Sequence, residues 1–134
     1  DKVLQEAVKL VKSTNAKLRV AHVVNLEQVT FGIEMVGVAE LKDALLGIGQ
    51  SLINKVKDQL ATAGVEAEVK LIENFGFEMS ALVVEDAKEF EADLFILGSH
   101  HLGSFSHFIT GGIAEDLAKE TEIPILLITK HKQK

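Results

Sequence analysis

The sequence predicts an α/β fold: a three-layer sandwich with a parallel, doubly wound sheet, built as a single domain over residues 1–134. Two observations carry this. Segments with helical spacing alternate with short apolar runs in the order α-β-α-β-α-β-α-β, a pattern that builds parallel sheets through right-handed crossovers. The run at 94–97, Leu-Phe-Ile-Leu, is apolar at every position, as a strand covered on both faces must be.

The elements follow in order. Asp1 is placed to cap a helix, and Val3, Leu4, Ala7, Val8, Leu10 and Val11 give it one apolar stripe, ended by Ser13-Thr14-Asn15. Residues 18–24 read as a strand apolar on both faces and so central in the sheet. The loop 25–37 carries scattered apolar residues (Val29, Phe31, Ile33, Met35, Val36), which we expect to pack against the next helix. From 38 to 63, Val38, Leu41, Leu45, Ile48, Leu52, Val56, Leu60 and Ala63 keep one face apolar over about seven turns. Gly64 is a natural stop. Gly47 and Gly49 each weaken the middle of that helix by about 1 kcal/mol relative to Ala, which points to close packing there.

Residues 65–71 alternate cleanly, as a half-exposed edge strand does, and 74–76 turn the chain. Met79, Leu82, Val83, Ala87 and Phe90 mark a third helix. The strand 94–97 and a polar loop follow, and Ile113, Ala114, Leu117 and Ala118 mark a fourth helix, opened by Gly111-Gly112. Pro124 begins the last strand, 125–129, where a missing donor is tolerated. The tail 130–134 is polar, and neither an internal repeat nor a linker is present.

Hydrophobic residues make up 47% and charged residues 25%, the balance of a chain with a real core. A formal charge of −6 and the lack of a basic run argue against nucleic acid as a partner, because duplex binding draws on Lys and Arg contacts to phosphates. With no cysteine, disulfides, thiol catalysis and zinc ribbons are excluded, and the composition suits a reducing, cytoplasmic setting. No apolar run approaches the roughly 20 residues of a membrane span.

The stretch 93–113 concentrates the chemistry. A buried strand breaks at Gly98 into a loop rich in Gly, Ser and His, and a glycine pair then leads a helix. That order places backbone N–H groups around an anion. His100, His101 and His107 invite a metal reading, but a divalent site wants three or four convergent ligands and no Cys, Asp or Glu shares the loop, so we assign no metal. Ser99, Ser104 and Ser106 stand near histidines, yet there is no G-x-S-x-G elbow and no acid to orient a base. We therefore assign no catalytic residue; any ATP turnover is expected to be slow and incidental. His22, on a strand, is read as a core histidine.

These residues resemble the universal stress protein family over nearly the whole chain. The resemblance rests on Ala21-His22-Val23-Val24, on 92–100 (Ala-Asp-Leu-Phe-Ile-Leu-Gly-Ser-His), on Gly111 followed by Ile113-Ala114-Glu115, and on 123–128 (Ile-Pro-Ile-Leu-Leu-Ile). It implies an adenine nucleotide alpha hydrolase-like sheet of five parallel strands in the order 3-2-1-4-5. It also implies a homodimer paired through the last strand, here Ile125, Leu126, Leu127, Ile128 and Thr129. The first strand of that order has no counterpart in the sequence, and we expect the natural protein to carry it, with a nucleotide-contacting Asp, ahead of Asp1. Without it, direct pairing of 18–24 with 94–97 is one expected rearrangement.

One branch of the family binds ATP between its first and fourth strands, and other members bind none. The binding branch carries Gly, two residues, Gly, nine residues, Gly, then Ser or Thr. Gly98 and Gly111 match the first and third positions; His101 and Gly112 stand at the second and fourth. The resemblance thus implies ATP or AMP held by Gly98, His100, His101, Gly111, Gly112, Ile113 and Ala114, with Val23 and Leu97 flanking adenine. Mg²⁺ is implied only alongside ATP and needs a carboxylate from elsewhere.

Losing the hydroxyl at Gly112 removes a bond to charged phosphate worth about 1.5–3 kcal/mol, or about 10- to 150-fold in affinity. A non-glycine residue at His101 costs about 1–2 kcal/mol if left-handed backbone is required there. Unperturbed histidines are mostly neutral at pH 7, so His100 and His101 add little back. Two readings follow: a nucleotide-binding stress protein with a weakened site, and a nucleotide-free interaction and dimerisation module.

Overall fold

The computed structural model describes residues 2–27, 37–98 and 106–128, the side chains of 106–112 excepted. Their elements are α1 (Lys2–Thr14), β1 (Arg19–Asn25), α2 (Val38–Ala63), β2 (Glu68–Asn74), α3 (Met79–Phe90), β3 (Phe95–Gly98), α4 (Ser106–Glu120) and β4 (Ile125–Ile128). Helices and parallel strands alternate, as the hydrophobic pattern predicts. The chain divides into two units, one of residues 14–78 and one of residues 1–13 with 79–134.

In the unit 14–78, β1 and β2 pair in parallel from Arg19↔Glu68 to Asn25↔Asn74. An ion pair from Arg19 Nη2 to Glu68 Oε1, 2.7 Å long, closes the start of the ladder. Val24 and Leu26 form the core, with Val38, Leu45, Leu46 and Leu71 packed against them. The helix α2 approaches the strands through Gly49, where a Cβ would lie 2.7 Å from Val24 Cγ2 and 3.0 Å from Leu71 Cδ1. Half of the paired-glycine expectation therefore holds. Gly49 is a contact point, whereas a Cβ on Gly47 would meet nothing within 4 Å among the described residues.

Gly64 ends α2 in left-handed backbone (φ +76), its N–H bonded to Ala61 O and that of Val65 to Leu60 O. These are the two hydrogen bonds of a Schellman stop, and they draw Val65 into the helix terminus. The strand consequently starts at Glu68 and runs to Asn74, three residues beyond the alternation at 65–71.

In the other unit, β3 and β4 pair in parallel from Phe95↔Ile125 to Gly98↔Ile128. Val84 and Ala87 of α3, Phe95 of β3 and Leu117 of α4 make its core. Ser80, only 1% exposed, donates to Glu120 Oε1 at 2.8 Å and ties the start of α3 to the end of α4. Glu91 ends α3 at φ +59, with Glu91 N–H on Lys88 O and Ala92 N–H on Ala87 O, a second Schellman stop without a glycine. The helix α1 buries Ala7.

Among the described residues the ladders are β1–β2 and β3–β4, each strand pairing with the one that follows it after one helical crossover. One expectation is corrected: the helix containing the glycine pair starts at Ser106, five residues earlier than its spacing suggested. Glycine weakens a helix by about 1 kcal/mol but does not forbid its passage.

Candidate functional site

The site begins at the end of β3. Leu97 pairs with Leu127 and Gly98, its last residue, with Ile128. Both are half-buried, and Leu97 packs against the core cluster of its unit. Open α/β sheets bind ligands beyond the carboxyl ends of their strands, and Gly98 lies at such an end. His100 and His101 lie outside the described residues, as do Thr129 and residues 28–36.

Gly111, Gly112, Ile113 and Ala114 all lie inside α4. In an α-helix beginning at Ser106, the N–H groups at 111–114 are past the first turn and are committed to carbonyls four residues back. The N–H groups of this helix that have no intrahelical partner belong to its first turn, at 106–109. Ile113 also packs on the cluster of Val84, Ala87, Phe95 and Leu117, so its side chain serves the core. Leu97, Gly98, Ile113 and Ala114 are thus brought into one unit.

Val23 stands in β1, in the other unit, paired with Ile72 and half-buried. Its neighbour His22, read as a core histidine, is half-buried; its Cδ2 would lie 3.8 Å from a Cβ on Gly49. Burial lowers its pKa below the ordinary 6.5, so the neutral ring is favoured.

A residue that the sequence reading left as a mere turn former organises the carboxyl end of the β1–β2 ladder. Asn74 is 5% exposed. Its Nδ2 donates to Asn25 Oδ1 (2.9 Å) and to Phe77 O (3.0 Å), and its Oδ1 accepts from the N–H groups of Gly76 (3.0 Å) and Phe77 (2.8 Å). The signal was an Asn ahead of Phe-Gly-Phe, because Asn side chains template turns two and three residues on. Among the described residues there is no group of three His, Asp or Glu that could hold a metal ion. No described helix is long and apolar enough to cross a membrane.

Parallel strands joined through helices, with a glycine closing the strand before the last helix, define a class of α/β domains. Comparison with known proteins narrows it. The model of the universal stress protein family matches residues 1–129, and the chain belongs to that family. A Staphylococcus aureus (strain USA300) relative named for the universal stress proteins is 27% identical over 123 residues, 91% of this chain and 72% of its own length. Among solved structures, a family member from Burkholderia pseudomallei superposes with a TM-score of 0.73 at 22% identity, covering 95% of this chain and 84% of that one. A universal stress protein in complex with cAMP gives a TM-score of 0.60 at 17% identity, with 96% and 85% covered.

Proposed function

We propose that this chain is a cytoplasmic stress protein that works by binding rather than catalysis, holding ATP or AMP weakly through the segment from Gly98 to Ala114. The observation that carries the reading is Gly98 itself: it terminates a parallel strand, and Gly111 follows at the separation that the family's nucleotide motif requires. Similarity in fold to a family member in complex with cAMP supports the ligand class. Between Gly98 and Ala114 there is no carboxylate, so Mg²⁺ enters only with ATP and through a residue outside the segment.

A second reading, a nucleotide-free interaction module, is favoured by one observation. With α4 starting at Ser106, the N–H groups of Gly112 and Ile113 face along the helix and not toward a ligand. Binding in the family's manner requires residues 106–110 to leave the helix. Isothermal calorimetry with ATP and AMP on the full-length protein separates the readings. Heat with a dissociation constant on the order of 0.1–1 mM is expected; silence at several millimolar would eliminate nucleotide binding.

At the level of the fold we propose the family's sheet order 3-2-1-4-5. Its support is that β2–β1 and β3–β4 each reproduce one end of that order. We also propose a homodimer through β4, supported by Leu126 and Leu127, which are 41% and 42% exposed on a strand that ends its ladder among the described residues.

A further inference from the structure

We propose that the opening of α4, residues 106–110, is a removable stretch of helix: its carbonyls occupy the N–H groups that would hold phosphate, and a bound phosphate chain unwinds it. This device presupposes the nucleotide-binding reading above and governs that same site.

The two parts of α4 differ in what makes them helical. In the part after the glycine pair, 113–120, Ala114, Glu115, Leu117, Ala118, Lys119 and Glu120 are all strong helix formers. That part is also anchored. Ile113 packs on the cluster around Phe95, Leu117 is fully buried, and Glu120 Oε1 accepts from the Ser80 hydroxyl at 2.8 Å. The part before it reads Ser106-His107-Phe108-Ile109-Thr110-Gly111-Gly112 and holds no strong helix former. Ile109 and Thr110 are β-branched, and the two glycines are the weakest formers after proline. No acidic residue stands in its first turn to meet the helix dipole.

With the helix running from Ser106, the N–H groups of 110–114 bond to the carbonyls of 106–110. When 106–110 unwinds, Gly111 becomes the residue that caps what remains. Glycine is poor inside a helix but acceptable at that position, so the pair marks a latent start. The N–H groups then left without an intrahelical partner belong to Gly111, Gly112, Ile113 and Ala114, the segment to which the family resemblance assigns the phosphates. The shortened helix 112–120 keeps Ile113, Leu117 and the Ser80–Glu120 bond, so its new terminus is held while the turn ahead of it melts. An anion stabilises such a terminus through the exposed N–H groups and the positive end of the dipole. Phosphate thus selects the short form, and the apparent affinity is lowered by the fraction of chains that are short.

Calorimetry with ATP on the full-length protein tests this through two substitutions at Thr110, a residue outside the assigned contacts. Thr110→Pro has no N–H to give the carbonyl of Ser106 and so starts the helix short; ATP should bind about 10-fold tighter than to wild type. Thr110→Ala strengthens the long helix, and ATP should bind about 3-fold weaker. Carbon chemical shifts of the backbone give an independent readout. Saturating ATP should move 107–110 from helical toward random-coil values and leave 113–119 helical. Affinities indifferent to both substitutions, or shifts at 107–110 that stay helical with ATP bound, would overturn the device and leave nucleotide binding standing. No heat from either wild type or Thr110→Pro would overturn nucleotide binding itself, and the device with it.

Discussion

Single side chains decide how closely α2 sits on its strands. Gly47 and Gly49 look equivalent in sequence, two glycines in one helix with the same propensity cost. They differ in surroundings: a Cβ at Gly49 would press on Val24 and Leu71, and one at Gly47 meets nothing within 4 Å among the described residues. Gly47→Ala should therefore raise stability by about 1 kcal/mol at dilute protein, the helix-propensity gain alone. Gly49→Ala should lower it by about 1 kcal/mol, because overpacking of about 1–3 kcal/mol exceeds that gain. Guanidinium unfolding of the two variants reads both signs. His22 makes the second residue-scale prediction. Its pKa is lowered by burial, so between that value and 6.5 the unfolded chain holds more protons than the folded one. The stability it confers is present above pH 6.5 and is lost as the pH falls through the folded value. Melting temperatures of wild type and His22→Gln should converge as pH drops from 7.5 to 5; parallel curves would show that the ring does not titrate differently on folding.

At the scale of elements, stops and turns set the boundaries that periodicity left loose. Alternation put an edge strand at 65–71, and the Schellman stop at Gly64 took Val65 from it. Periodicity reads where side chains point and is blind to which backbone groups a terminus must satisfy. The same blindness hid Glu91, a non-glycine residue in left-handed backbone at the end of α3. Glu91→Gly should stabilise the protein by about 1 kcal/mol, since the left-handed conformation costs an L-residue about 1–2 kcal/mol and glycine gives some of this back in unfolded-state entropy. Asn74→Ala should act in the opposite direction, by about 2–4 kcal/mol. It leaves the N–H groups of Gly76 and Phe77, the Phe77 carbonyl and the Asn25 amide without the partner that Asn74 supplies. Thermal unfolding would check both, and a neutral Asn74→Ala would show that water replaces the side chain at no cost.

Over the whole molecule, the alternation of helices and parallel strands was legible because each element carries its own period and each crossover is of helical length. The candidate site was legible only in part. The apolar run before Gly98 marked a strand end, and the structure has one there. The spacing opened this helix at Gly111 and gave no sign of its start at Ser106, because helix initiation depends on which upstream residues cap and pack, and the sequence pattern shows only the packed face that begins at Ile113. In the nucleotide-binding reading, His101 and Gly112 are the residues on which affinity would turn, and what they would cost is a matter of hydrogen bonds that no pattern displays. The most direct test compares ATP affinity of the full-length wild type and of Gly112→Ser by calorimetry. A weakened phosphate site predicts that the added hydroxyl tightens ATP by about 10-fold or more. An unchanged affinity, or no heat from either protein, would contradict it and leave this member of the family as a nucleotide-free module.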